Sequence, residues 1–131
     1  MYAMTMVLNH PYSQVIDMVN EQLAEEKFGV VSDINVQAVL KKKLDVEYPG
    51  YRILGACKPG IAKQIADAEP DAGVLLPCSI LVRENNDGTT TVAFMDPVTV
   101  LGLCDNTEVN KLAEEAKAEL LRVMQRLENL N

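Results

Sequence analysis

The C-terminal segment that begins at Asp105 restricts what this chain can fold into more than any other feature. Its apolar residues recur every three or four positions, which predicts an amphipathic helix of about 22 residues, roughly 33 Å long. Asp105 precedes Glu108 by three residues and resembles the start of a capping box. Such a helix must bury its stripe against a second layer. The stripe comprises Val109, Leu112, Ala113, Ala116, Leu120, Val123, Met124 and Leu127.

The second layer is predicted to be a β-sheet, whose strands lie in the part of the chain before Asp105. Asn-Asn-Asp-Gly at 85–88 predicts a tight hairpin turn, because Asp-Gly tolerates the positive φ angles such turns need. The strand order and turns favour a mixed or mainly antiparallel sheet of about five strands. The predicted strands cover residues 3–8, 29–34, 51–57, 74–84 and 89–95.

Three further helices are predicted between these strands. One covers 13–28 with Ser13 as its N-cap, a shorter one follows Asn35, and a third begins at Pro59 and stops at Pro70. We therefore predict an α+β fold with its helices packed on one face of the sheet, in a single domain spanning residues 1–131.

Charge and composition exclude several classes of function. The chain has a formal charge of -7, which repels phosphate backbones and argues against a nucleic-acid partner. No apolar run approaches the length of a membrane span, and the N-terminus lacks the pattern of a signal peptide. Three cysteines without C-x-x-C spacing argue against a disulfide framework and favour a cytoplasmic location.

Cys57 lies at the most informative junction, in the stretch "ILGACKPGIAKQ" (53–64). An apolar strand ends at this cysteine, and a helix starts at Pro59. The positive end of that helix and the ammonium of Lys58 would favour a thiolate, and therefore a reactive thiol. Backbone N–H groups at the helix start could also receive a small anion. The competing interpretation, which we favour for Cys57 alone, is a buried and inert cysteine.

Cys78 is the second candidate. By the alternation of side chains along a strand it faces the core, although Pro77 before it suggests an edge strand or a bulge. If strands 51–57 and 74–80 form a parallel crossover, Cys57 and Cys78 meet at one end of the sheet. If the strands are antiparallel or not neighbours, we expect the two cysteines to be separated.

No recognisable catalytic set is present. His10 is the one histidine and lies in a turn, so a Cys-His or Ser-His pair has nothing to orient it. We assign no metal site, because structural zinc needs four ligands at short local spacings. A metal held by Cys57, Cys78 and a carboxylate is the weaker alternative that the sequence leaves open. Candidates for catalysis are therefore limited to Cys57 and Cys78, and candidates for ligand binding to Cys57, Lys58, Pro77 and Cys78.

Residues 13–100 resemble the domain of unknown function 302 family. The likeness rests on several motifs in the same order: Phe-Gly-Val at 28–30, "YRILGAC" at 51–57, "LLPC" at 75–78, and Asp96-Pro97 after the hairpin. The resemblance implies a small α+β domain of TATA-binding-protein-like architecture and a homodimer, but no activity. The family usually has Asn where this chain has Lys58, and lysine cannot accept the capping hydrogen bond that Asn would.

We accordingly expect a homodimer that binds or senses a small ligand, such as a small anion, or a partner near Cys57 and Cys78. One alternative is a thiol redox enzyme in which Cys57 attacks and Cys78 resolves. The other is a dimeric interaction module without a ligand. The sequence does not identify a cofactor.

Overall fold

The computed structural model describes residues 1–131 and confirms the α+β class. Two short 3-10 segments, Pro70–Leu75 and Gly102–Cys104, complete the regular structure. The strands are β1 (Ala3–Leu8), β2 (Gly29–Asn35), β3 (Tyr51–Cys57), β4 (Cys78–Glu84) and β5 (Thr90–Met95). The helices are α1 (Tyr12–Glu25), α2 (Val36–Leu44), α3 (Pro59–Ala68), α4 (Pro97–Leu101) and α5 (Thr107–Asn129).

The five strands form one sheet in the order β1-β5-β4-β3-β2, and every neighbouring pair is antiparallel. The hypothesis of a parallel crossover between residues 51–57 and 74–80 is therefore wrong. A crossover needs a helix that packs back across the sheet, whereas α3 packs mainly on α5 and on the 3-10 segment Pro70–Leu75. That segment occupies the start of the predicted strand 74–84, so β4 begins only at Cys78.

The helix ends differ from the predicted ones for local reasons. Pro11 holds the N-cap position of α1 without a side-chain cap, so Ser13 is not the cap. The chain leaves α1 at Lys27, whose φ is 65°. Asp105 also has a left-handed φ, and Asn106 caps α5 instead by accepting a hydrogen bond from the N–H of Val109. Asn35 caps α2 as predicted.

The apolar stripe of α5 is buried as predicted, apart from the half-buried Met124, and it contributes to two cores. Its C-terminal half, with Leu120, Val123 and Leu127, packs with α1 and the sheet in a cluster of 16 buried residues. Its N-terminal half, with Leu112 and Ala116, packs with α3 and α4 in a second cluster of eight. The segment around residue 116 of α5 therefore forms the boundary between the two cores.

One flank of the molecule is left uncovered. Residues 29–49, which comprise β2, α2 and the loop after it, contain no buried residue. Seven of the 14 large apolar side chains that are exposed in the molecule lie in this segment. They are Val30, Val31, Ile34, Val39, Leu44, Val46 and Tyr48. We call residues 29–49 the apolar flank.

No helix combines the length and the apolar character that are needed to cross a membrane.

Candidate functional site

The end of β3 and the start of β4 lie side by side. Ala56 is directly opposite Cys78 in the antiparallel ladder, so Cys57, which follows Ala56, is a near neighbour of Cys78. The expectation that antiparallel strands would separate the two cysteines is wrong. Cys57 ends its strand and Cys78 begins the next one, and antiparallel pairing brings such ends together.

A pocket opens at this junction, between the two apolar cores. The cavity itself has a volume of about 30 Å³ and lies in an open depression of about 360 Å³. The cavity has room for one or two water molecules. All four predicted ligand-binding residues, Cys57, Lys58, Pro77 and Cys78, line it. Phe28, Ala56, Ile61, Ala62, Ile65, Leu76, Leu101 and Ala116 complete the wall.

Cys78 is the deeper of the two thiols. Its side chain is buried in the core as the alternation predicted, whereas Cys57 is half-buried. Burial, with a smaller contribution from Cys57, raises the pKa of the Cys78 thiol to about 11. Cys78 is therefore protonated at neutral pH.

The strand register also restricts how the two thiols can meet. Ala56 and Cys78 form an opposed pair and share one face of the sheet, so alternation turns the Cβ of Cys57 towards the other face. A disulfide requires Cβ atoms about 3.5–4.5 Å apart and converging. A direct Cys57–Cys78 disulfide therefore needs movement of the backbone.

Lys58 has a partner that we did not predict. Its ammonium forms an ion pair with Glu119 of α5 and lies 4.9 Å from the ring centroid of Phe28. Glu119 is only 6% exposed, and Lys58 provides no side-chain cap for α3. The positive charge beside Cys57 is thus shared with a buried carboxylate, which holds the start of α3 against α5.

Glu119 is the site residue that sequence reasoning missed, although its position gave a clue. It lies three residues after Ala116 and four before Val123, and therefore on the buried stripe of α5. A glutamate on such a stripe indicates a buried partner of opposite charge, since burying an isolated carboxylate is costly. The partner itself is distant in sequence and could not be identified from spacing.

The other histidine, cysteine and acidic residues considered as candidates do not line this pocket. His10 forms a hydrogen bond through Nε2 with the carbonyl oxygen of Leu130. Cys104 is half-buried in the 3-10 segment after α4 and does not line the pocket. Asp67 pairs with Lys63 on the exposed side of α3. No group of three or more His, Cys, Asp or Glu side chains is arranged to hold a metal ion.

Comparisons with known proteins agree with this architecture. The crystal structure of an uncharacterized conserved DUF302 protein from Bacillus stearothermophilus is similar, with a TM-score of 0.89. The two chains are 24% identical over 97% of this chain and 98% of the other, a level of identity that shows the fold. No curated protein matches this sequence. The family model described as "Domain of unknown function DUF302" matches residues 4–127, and the chain therefore belongs to the DUF302 family.

Proposed function

We propose that this protein binds a small ligand in the pocket at the β3–α3–β4 junction and that its role is binding or sensing. The observation that carries the proposal is the convergence of Cys57, Lys58, Pro77 and Cys78 on one mainly apolar pocket. An apolar pocket with a few polar groups at fixed positions is the usual form of a small-molecule site. The cavity volume of about 30 Å³ limits the ligand to a few heavy atoms.

The pocket can be closed by one substitution. Ala62 lines the pocket and is half-buried, so Ala62→Leu places a larger side chain there without disturbing a fully buried position. Ala66→Leu makes the same change on the same helix at an exposed position outside the pocket and is the matched control. Leucine suits the interior of a helix, so both variants should fold.

The test is a titration with small probes, followed by amide chemical shifts. We expect thiocyanate, as an anion, or dimethyl sulfide, as a neutral apolar probe, to shift the amides of Cys57, Ala62 and Cys78. The shifts should persist in Ala66→Leu and disappear in Ala62→Leu. If neither probe shifts these amides, or if Ala62→Leu responds like the wild type, the pocket is not a ligand site. The thiocyanate arm also tests whether the ligand is an anion.

We also propose a homodimer in which a second copy covers the apolar flank. The flank exposes seven large apolar side chains, and patches of that kind mark interaction sites. It also holds three acidic residues (Asp33, Asp45, Glu47) and three lysines (41–43), and therefore no net charge, whereas the whole chain carries -7. Two acidic molecules can approach through a neutral surface with the least repulsion.

Light scattering coupled to chromatography tests the dimer at micromolar concentration. The double variant Val39→Glu/Leu44→Glu changes two exposed side chains of the flank, at 47% and 65% exposure, and should yield a monomer. Val74→Glu changes a side chain that is 87% exposed outside the flank and should remain dimeric. A monomeric wild type, or a double variant that still dimerises, would refute the proposed interface. A dimer that binds neither probe favours the interaction module without a ligand.

The thiol redox enzyme remains the alternative, with Cys57 as the attacking thiol and Cys78 as the resolving one. Two features count against it: the protonated state of Cys78 and the divergent Cβ directions of the two residues. Alkylation rates of each cysteine against pH test it directly. A Cys57 that reacts no faster than a free thiol below pH 8 removes this alternative.

We keep the cytoplasm as the proposed compartment. The support is that Cys57, Cys78 and Cys104 are all free thiols, which a reducing environment preserves.

A further inference from the structure

We propose that the junction pocket holds one soft monovalent metal ion, Cu(I) or its analogue Ag(I), between the sulfur atoms of Cys57 and Cys78. The inference rests on the proposed ligand-binding function of this pocket and names the class of ligand.

The donor set of the pocket selects the class of metal. Two thiols line it, and no carboxylate or imidazole does. Zinc in structural sites takes four ligands, and calcium and magnesium take oxygen ligands, so the pocket does not suit these ions. Sulfur ligands select soft ions, and Cu(I) and Ag(I) accept two thiolates as a complete ligand set.

The separation of the thiols favours a bridging ion over a direct bond. Cys57 and Cys78 are one register position apart on adjacent strands, with Cβ atoms that do not converge. An S–S bond is only about 2.05 Å long. Two metal–sulfur bonds of about 2.3 Å, the length found in zinc thiolates, span roughly twice that distance. A metal ion therefore reaches both sulfurs with less movement of the strands than a disulfide would require.

The size and walls of the pocket suit a bare ion. The cavity volume of about 30 Å³ is large enough for one ion, and ten of the twelve lining residues are hydrophobic. Such walls leave room for only one or two water molecules beside the two sulfurs.

The binding step balances without any redox change. The ion forms two metal–sulfur bonds, the two S–H bonds break, and both protons pass to solvent. The metal–dithiolate complex, which includes the positive charge of the ion, has a net charge of about -1, whereas the metal-free dithiol is neutral. Binding therefore becomes stronger as the pH rises, because each thiol must lose its proton.

The ion pair of Lys58 and Glu119 determines how much positive charge is available to stabilise the metal–dithiolate. Lys58 is the only cationic residue that lines the pocket, and Glu119 now neutralises it. Glu119→Gln keeps the size of the side chain and a hydrogen-bond acceptor but removes the negative charge. The freed ammonium then balances the metal–dithiolate, so this variant should bind the ion several-fold more tightly than the wild type.

The experiment is a competition for Cu(I) between the reduced protein and the chelator bathocuproine disulfonate, repeated with Ag(I) by native mass spectrometry. We expect one ion per chain in the wild type and in Cys104→Ala, the control for a thiol outside the pocket. Cys57→Ala and Cys78→Ala should each lower the affinity at least 100-fold, which is about 2.7 kcal/mol. Both should retain the fold, as checked by circular dichroism.

Three outcomes would overturn the proposal: equal losses in Cys104→Ala and Cys57→Ala, no binding by the wild type, or no gain in Glu119→Gln. The failure of this proposal is distinguishable from that of the ligand site itself. If thiocyanate or dimethyl sulfide binds in a manner sensitive to Ala62→Leu while Cu(I) and Ag(I) do not bind, the pocket is a ligand site of another class.

Discussion

Gly55 shows how strongly one residue can determine the position of the candidate site. It lies in the middle of β3, between Ser32 of β2 and Pro77 ahead of β4. A Cβ built at this position would lie 2.7 Å from Cγ of Pro77 and would also collide with Oγ of Ser32. The absence of a side chain therefore allows Pro77 to pack against β3 next to the pocket.

Gly55→Ala should destabilise the protein by about 1–3 kcal/mol, the range for overpacking, because the proline ring must move to accommodate the methyl group. Urea unfolding measures the loss. Gly60→Ala is the control, since nothing lies within 4 Å of its Cβ position in α3. It should stabilise the protein by about 0.5–1 kcal/mol. Equal stability of the two variants would show that the contact between Gly55 and Pro77 is not tight.

Asp96 links α4 to α5 through a single carboxylate. It accepts hydrogen bonds from the N–H groups of Val98 and Thr99 and forms an ion pair with Lys117. Burial favours its protonated form, but these hydrogen bonds and the ammonium of Lys117 outweigh burial and hold the pKa of Asp96 below its ordinary value of 3.8. Because the folded-state pKa is depressed, the stabilisation is present above pH 4 and is lost as the pH falls below it.

Asp96→Asn keeps the cap but loses the charge, so it should cost about 1–2 kcal/mol at pH 7. The difference from wild type should shrink as the pH falls below about 4, where the wild-type carboxylate also becomes protonated. Urea unfolding at pH 7 and pH 3 tests this. Asp71→Asn, at an exposed position, should stay within about 0.5 kcal/mol of wild type at pH 7. A constant difference for Asp96→Asn at both pH values would contradict the assignment.

At the scale of elements, the ion pair of Lys58 and Glu119 joins the β3–α3 junction to α5. Lys58→Met leaves the Glu119 carboxylate buried without a partner, which should cost about 3–5 kcal/mol. Lys58→Met/Glu119→Leu removes both charges and should recover most of that loss. Lys63→Met breaks the exposed pair with Asp67 and should cost no more than about 0.5 kcal/mol.

The single variant Glu119→Leu completes a double-mutant cycle with these variants, and denaturant unfolding measures it. The coupling between Lys58 and Glu119 should be several times larger than any effect at Lys63. A Lys58→Met variant as stable as Lys63→Met would show that the pair does not hold α3 against α5.

The elements themselves were largely predictable from the sequence, because their causes are local. Periodicity identified α5, Asp-Gly marked the hairpin between β4 and β5, and alternation placed Cys78 in the core. Helix α4 was missed, since five residues after a capping aspartate are too few for a periodic pattern. The start of β4 was misplaced because residues 74–76 are apolar enough to resemble a strand, whereas Val74 and Leu75 belong to a 3-10 helix.

At the scale of the whole molecule, the arrangement of the candidate site could not be predicted. Whether Cys57 meets Cys78 depends on the pairing of β3 with β4, and the partner of Lys58 lies on a helix 61 positions further along the chain. Periodicity and spacing report only on neighbours in sequence. The sequence therefore indicated four residues that line one pocket, but neither Glu119 nor the strand direction that brings the four together.

The uneven burial of the chain predicts an uneven pattern of amide exchange. The apolar flank, with no buried residue, should exchange fastest in monomeric Val39→Glu/Leu44→Glu, whereas β4, β5 and α5 should exchange slowest. Hydrogen exchange with mass spectrometry measures both. If the proposed dimer forms, protection of the flank in the wild type should increase with protein concentration. Concentration-independent protection, or a flank as protected as β4, would contradict this prediction.

The division of α5 between two cores means that a ligand in the pocket would affect the packing of both. Because the pocket lies where the cores adjoin, its walls come from both of them: Phe28 and Ala56 from one, Ile61 and Ala116 from the other. A ligand bound there would contact both cores and connect them more firmly. We expect α5, which spans both cores, to become more rigid along its whole length. In the proposed function, a ligand of only a few atoms would therefore contact both cores at once, and its binding should increase the cooperativity of unfolding.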